Sequence, residues 1–226
     1  MDVLWFLKER TKFIRNYYET ASAAFRETIR KIDAEEAPYE PPYSEDGEPP
    51  FLAEWGAADT SLEILGATCI SMLSESLKLY FSTWEELLGA KCQKNFPGSF
   101  KGKGFVTGYK DCFGAVLKTD WSTCPADFAV LEQVVMARNA AEHPADIVFL
   151  HLNHHESLQQ KFPTPVFISE YEKRLIEQNA QVWPHLQLVV TGNALFEAIR
   201  QVELLAEWME ERLFNVLYPG NRAGKL

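Results

Sequence analysis

The first 35 residues place the strongest constraint on the fold. Leu4, Leu7, Thr11, Ile14, Tyr18, Ala21, Phe25, Thr28 and Ile32 recur at alternating spacings of three and four. That is one helix face, sustained over four heptads. The spacing predicts a helix from Asp2 to about Glu35, about 50 Å long at ~1.5 Å per residue. A helix of that length must lie across a bundle or pair with another subunit.

The next stretch, 33–50, holds seven acids, no base and five prolines. It reads as a solvated connector, since proline breaks both helix interiors and central strands. A second long helix is predicted from the capping box Thr60–Glu63, with Leu62, Leu65, Cys69, Met72, Leu73, Leu77, Tyr80, Phe81, Trp84, Leu87 and Leu88 on its apolar face and Gly89 near its end. Pro125 suits the first turn of a further helix running to Pro144. The 144–168 segment reads as an irregular excursion. The capping box Ser169–Glu172 predicts a helix to about Gln181, Pro184 suits a new start, and Gly192–Asn193 marks a break or cap. A last amphipathic helix runs from Ala194 to about Leu217. With no alternating strand pattern and no internal repeat, the expectation is a single all-α domain, a bundle of four or more long helices.

The 94–110 stretch differs in kind. Lys94, Lys101, Lys103 and Lys110 stand among Phe96, Phe100, Phe105 and Tyr109, with four glycines and no acid. It is neither a P-loop nor a dinucleotide fingerprint. A flexible basic and aromatic loop of this composition suits single-stranded RNA. The other reading is a surface loop whose phenylalanines tuck back onto the bundle. The formal net charge of −10 gives no overall attraction for nucleic acid, so RNA contact needs such a local patch.

No signal peptide is evident in the opening residues, and no apolar run approaches the ~20 residues of a membrane span. Cys69, Cys92, Cys112 and Cys124 are widely spaced and none forms a C-x-x-C pair. Free buried thiols and a cytoplasmic location are the expectation. His151, His154 and His155 cluster in sequence. His151 and His154 have a spacing that can chelate a metal on a helix, but exposed loop histidines fit the context better, so no metal site is expected. The six tryptophans read as core or subunit interface.

The stretch "ARNAAEHP", 137–144, carries the chemistry. Arg138 and His143 are five apart, so on a regular helix they point about 140° apart. Pro144 disfavours the α region at His143 and releases it from the helix, from where its ring can swing back toward Arg138. The alternative is structural: Arg138 and Glu142 form an i, i+4 pair, and His143 caps the last carbonyls.

"RNAAEH" resembles the R-x4–6-H signature of the HEPN superfamily, with Asn139 matching the polar residue often found after its arginine, and "SLEILGATCISMLSESLKLY" is similar to its core helix. The resemblance spans roughly 57–143. It implies a cofactor-free, metal-independent RNA endonuclease of the toxin or defence type. It also implies a homodimer with two motifs facing across a cleft, controlled by an antitoxin or other neutralising partner. Within it, Arg138 would grip the scissile phosphate, His143 would transfer the proton, and Asn139 would orient them. Some members serve instead as non-catalytic dimerisation or binding modules.

Overall fold

The computed structural model describes residues 2–41, 49–143, 151–180 and 186–218. The described residues are all-helical, without a named strand. The elements are α1 (Val3–Asp33), α2 (Leu52–Leu87), α3 (Cys92–Asn95), α4 (Pro97–Gly102), α5 (Phe105–Leu117), α6 (Phe128–Glu142), α7 (Ser157–Lys161), α8 (Glu170–Glu177) and α9 (Gly192–Leu217). Pro144, Pro184, the last eight residues and residues 42–48 of the connector lie outside the described residues.

Helix α1 is the long helix its periodicity predicts. Asp2 caps it, accepting the Trp5 N–H at 2.8 Å. Val3, Leu7, Thr11, Ile14, Tyr18 and Ser22 form its buried row. This row packs against α2 and α9, and α2 in turn packs against α6. The shared core contains Ile70, Leu73 and Leu77 of α2, Leu131, Val134 and Ala137 of α6, and Leu195, Ile199 and Val202 of α9.

The tryptophans divide. Trp84 is buried, whereas Trp5 joins Phe6, Phe13 and Tyr17 in an exposed row on the outward face of α1. Trp183 lies outside the described residues.

Helix α2 begins eight residues before the Thr60 capping box, which lies inside it. Its N-cap, Phe51, has left-handed backbone (φ 59°) and no side-chain cap, so no polar signal marks the true start. Helix α6 starts at Phe128 under an Asp127 cap, with Pro125 ahead of it rather than in its first turn. Helix α8 has the expected capping box at Ser169 and Glu172 but stops at Glu177, short of Gln181. The 151–168 part of the excursion is less irregular than expected. It contains α7, and Asn153 bridges to Gln187.

The basic stretch is not a flexible loop. It folds into α3, α4 and the first turns of α5. Buried Glu132 of α6 makes this possible: its carboxylate accepts the N–H groups of Phe105 (3.0 Å), Val106 (3.0 Å) and Thr107 (3.4 Å), capping α5 from a distant element. Gly104, at φ 120°, is the residue before that cap, where any Cβ would collide with the Glu132 carboxylate. A Cβ at Gly108 would lie 2.5 Å from the Phe100 ring. The phenylalanines do tuck inward, as the second reading had it: Phe100 meets Tyr109 edge-on, and Tyr109 stacks on Phe81 at 4.7 Å. Gly104 and Gly108 therefore serve packing, whereas Gly98 and Gly102 have open space around them.

The thiol expectation is also corrected. Cys92 and Cys112 form a disulfide, brought together because the short α3–α4 turn folds back on α5, while Cys69 and Cys124 are free.

Candidate functional site

Arg138 sits one turn before the end of α6, beside fully buried Ala137, so its stem is covered and its head emerges at the edge of the α2–α6 contact. The side chain keeps 25% of its surface exposed. Its Nη2 lies 3.2 Å from Glu75 Oε1 on α2 and 2.5 Å from Glu142 Oε2 one turn along. Its Nη1 donates to Asn139 Oδ1 at 3.2 Å, and its Nε is buried with no acceptor among the described residues. The i, i+4 pair with Glu142 is therefore present, and Glu75 is a partner that local sequence reasoning missed.

His143 leaves the helix as expected. It is the C-cap, at φ −128° and ψ 64°, and its N–H donates to the Asn139 carbonyl at 3.1 Å. Its side chain is exposed. Arg138 and Asn139 are brought into contact; a hydrogen bond between Arg138 and His143 is absent among the described residues. One guanidinium between two carboxylates leaves the cluster with a net negative charge, so a phosphate would have to displace a carboxylate to reach it.

The four lysines differ in their surroundings. Lys94 on α3 and Lys101 on α4 are exposed. Lys103 pairs with Asp111 at 3.0 Å, and the Ser99 hydroxyl together with Lys103 holds that carboxyl below the usual carboxylate range. Lys110 lies over the Phe128 ring at 4.1 Å. Lys161 donates to the Lys103 carbonyl and lies 3.8 Å from Glu132. Glu132 is six residues before Arg138, so this end of the basic stretch lies about 9 Å along α6 from the arginine.

The histidine cluster disperses into three different jobs. His151 Nδ1 lies 2.8 Å from Glu63 Oε2, and Glu63 Oε1 accepts from Gln187 Nε2 at 2.9 Å. His155 meets Ser157. His154 is buried, contrary to the exposed-loop expectation, because its Nε2 finds the Phe167 carbonyl at 2.7 Å and its backbone N–H finds the Leu186 carbonyl. Burial pushes its pKa down, against the smaller upward pull of the Phe167 carbonyl and of Glu172. Among the described residues, no group of three metal-ligating side chains converges, and no helix is long and apolar enough to cross a membrane. No protein-family model matches the chain, and comparison with characterised proteins and with solved structures returns no match.

Proposed function

We propose that this chain is a metal-independent RNA endonuclease of HEPN type, acting in the cytoplasm as a toxin or defence effector. The observation that carries the reading is the end of α6. Arg138 and Asn139 are joined there by a hydrogen bond, and His143 stands just outside the helix with an exposed ring. A histidine so placed takes a proton from a ribose 2′-OH or returns one to the leaving 5′ oxygen. The attack of the 2′ oxygen then closes a cyclic phosphate and releases a 5′-hydroxyl. Arg138, planar and permanently charged, holds the scissile phosphate as charge develops.

One histidine cannot be acid and base in the same step, and a symmetric homodimer supplies two. The exposed aromatic row of α1 supports a second copy docking there. Trp5, Phe6 and Phe13 line a groove of about 430 Å³ against Met72 and Ser76, the residue next to Glu75. An antitoxin or other neutralising partner belongs to the same reading.

The double ion pair of Arg138 favours a second reading, a non-catalytic dimerisation or binding module in which the same residues brace α6 against α2. The two readings separate in one assay. RNA is incubated with wild type, Arg138→Ala and His143→Ala in excess chelator. Cleavage by wild type that falls at least about a hundredfold in both variants supports the nuclease. Equal behaviour of all three proteins, with folding intact, rejects it in favour of the module.

A further inference from the structure

The Cys92–Cys112 disulfide joins two parts of the molecule that are held very unequally. Cys112 lies on α5 among buried Val106, Tyr109 and Phe113, and Glu132 holds the first N–H groups of that helix. Cys92 opens α3, and it is the one buried residue in α3 and α4 together. Those helices have four and six residues, too short to persist without tertiary support. Gly89 and Gly104, at φ 62° and 120°, bound the segment that carries them.

The other ties on this segment are of a weaker kind. Phe96 and Phe100 are only partly buried where they pack against the core. Glu85 accepts the Cys92 N–H at 2.7 Å, and its second oxygen accepts the Tyr109 hydroxyl at 3.0 Å. Ser99 donates to Asp111 at 2.6 Å, and Lys103 pairs with the same oxygen at 3.0 Å. Polar contacts partly open to water hold weakly, so the covalent link is the strongest tie on the segment. The same segment concentrates positive charge. Residues 91–103 hold Lys91, Lys94, Lys101 and Lys103 and no acid, in a chain of net charge −10. Lys91, Lys94 and Lys101 are exposed.

We propose that Cys92 and Cys112 form a redox switch, which latches this basic segment onto α5 when oxidised and releases it when reduced. The electron donor is a dithiol. One of its thiolates bonds to one sulfur of the pair and expels the other as a thiolate, which takes up a proton. The second thiol of the donor then displaces the remaining cysteine and closes the donor's own disulfide. Two electrons and two protons pass to the protein and leave two cysteine thiols. Both cysteines are buried, so exchange follows a local opening of α3, the less anchored side. The cytoplasmic location proposed above agrees with this, since disulfides in a reducing compartment are chiefly transient and redox-sensing. The geometry stands without it.

The test is limited trypsinolysis of the full chain, first oxidised with glutathione disulfide and then reduced with dithiothreitol under native conditions. Fragments are identified by mass. The segment offers cleavage sites after Lys94 and Lys101, while Lys12 on α1 and Arg200 on α9 are exposed reference sites. Alkylation in denaturant should count two free thiols before reduction and four after it, matching one disulfide with free Cys69 and Cys124. Reduction should speed cleavage after Lys94 and Lys101 at least about tenfold and leave the reference sites unchanged. The paired variant Cys92→Ser with Cys112→Ser should match the reduced chain with or without dithiothreitol. Four free thiols in the oxidised chain overturn the switch. So does cleavage after Lys94 and Lys101 that reduction leaves unchanged. Equal acceleration at Arg200 also overturns it, because the bond is then a staple of the whole fold.

Discussion

Arg138 and Arg26 stand at opposite kinds of helix end. Arg138 lies near the C-terminus of α6, where the helix already favours a cation, and two carboxylates close on it as well. Arg26 lies against the N-terminus of α9, where the helix disfavours a cation, and no carboxylate answers it among the described residues. One guanidinium lies between two carboxylates and the other against a tyrosine hydroxyl. The motif marks the arginine that has carboxylate partners, while the arginine at the start of α9 carries no motif. A short pattern reports residue spacing along a helix; electrostatic demand is set by what other elements bring to the same place.

The largest difference between the two should be in stability. Arg138→Ala leaves Glu75 and Glu142 facing each other without their cation and should cost about 1–2 kcal/mol in urea denaturation. Arg26→Ala removes an exposed side chain that donates to the Tyr18 hydroxyl and should stay within about 0.5 kcal/mol of wild type. Equal losses would break the comparison. A smaller effect should come from Glu75→Gln. Removing one unit charge 3.2 Å from the guanidinium in a solvated setting is worth about 1 kcal/mol, or about fivefold in affinity. RNA binding should tighten by that factor in gel-shift titrations of Glu75→Gln and stay unchanged in Arg26→Ala. A matching change of opposite sign in Arg26→Ala would show a general charge effect rather than release of Arg138.

These partners also show which parts of the molecule a single sequence reveals. Helix α1, the capping box of α8 and most of α9 were legible because a buried row at spacings of three and four, or a Ser–Glu cap, is local information. The exit of His143 from α6 was legible too, since the following proline acts on its immediate neighbour. The start of α2 was hidden because Phe51 provides no polar cap. The helical character of 94–110 was hidden because its cap, Glu132, comes from another helix, and glycines required for close packing look the same in sequence as glycines required for flexibility. Glu75 was missed for the same reason: it joins Arg138 only through the packing of α2 on α6. Arg26 and Gly192 carry no local signal, and Gly192–Asn193 read only as a break or cap.

The smallest effect should come from pH, and it should again separate the two regions. The segment entering α9 is tied down through His154, whose ring holds the Phe167 carbonyl and whose backbone N–H holds the Leu186 carbonyl. Phe167 in turn accepts the Val189 N–H, two residues before the Thr191 cap. Because burial lowers the folded-state pKa of His154, the unfolded chain binds its proton first on acidification. The stability it contributes is present above its unfolded value of about 6.5 and is lost as pH falls toward the folded value. Between about pH 7.5 and about pH 5.5, protection against hydrogen exchange should therefore fall at residues 186–191 before it falls at the end of α6. His154→Gln, which keeps a side-chain donor for the Phe167 carbonyl and does not titrate, should flatten that dependence. If the end of α6 opens first in wild type, the α9 entrance is not the acid-sensitive region, and the two arginines share one response instead of two.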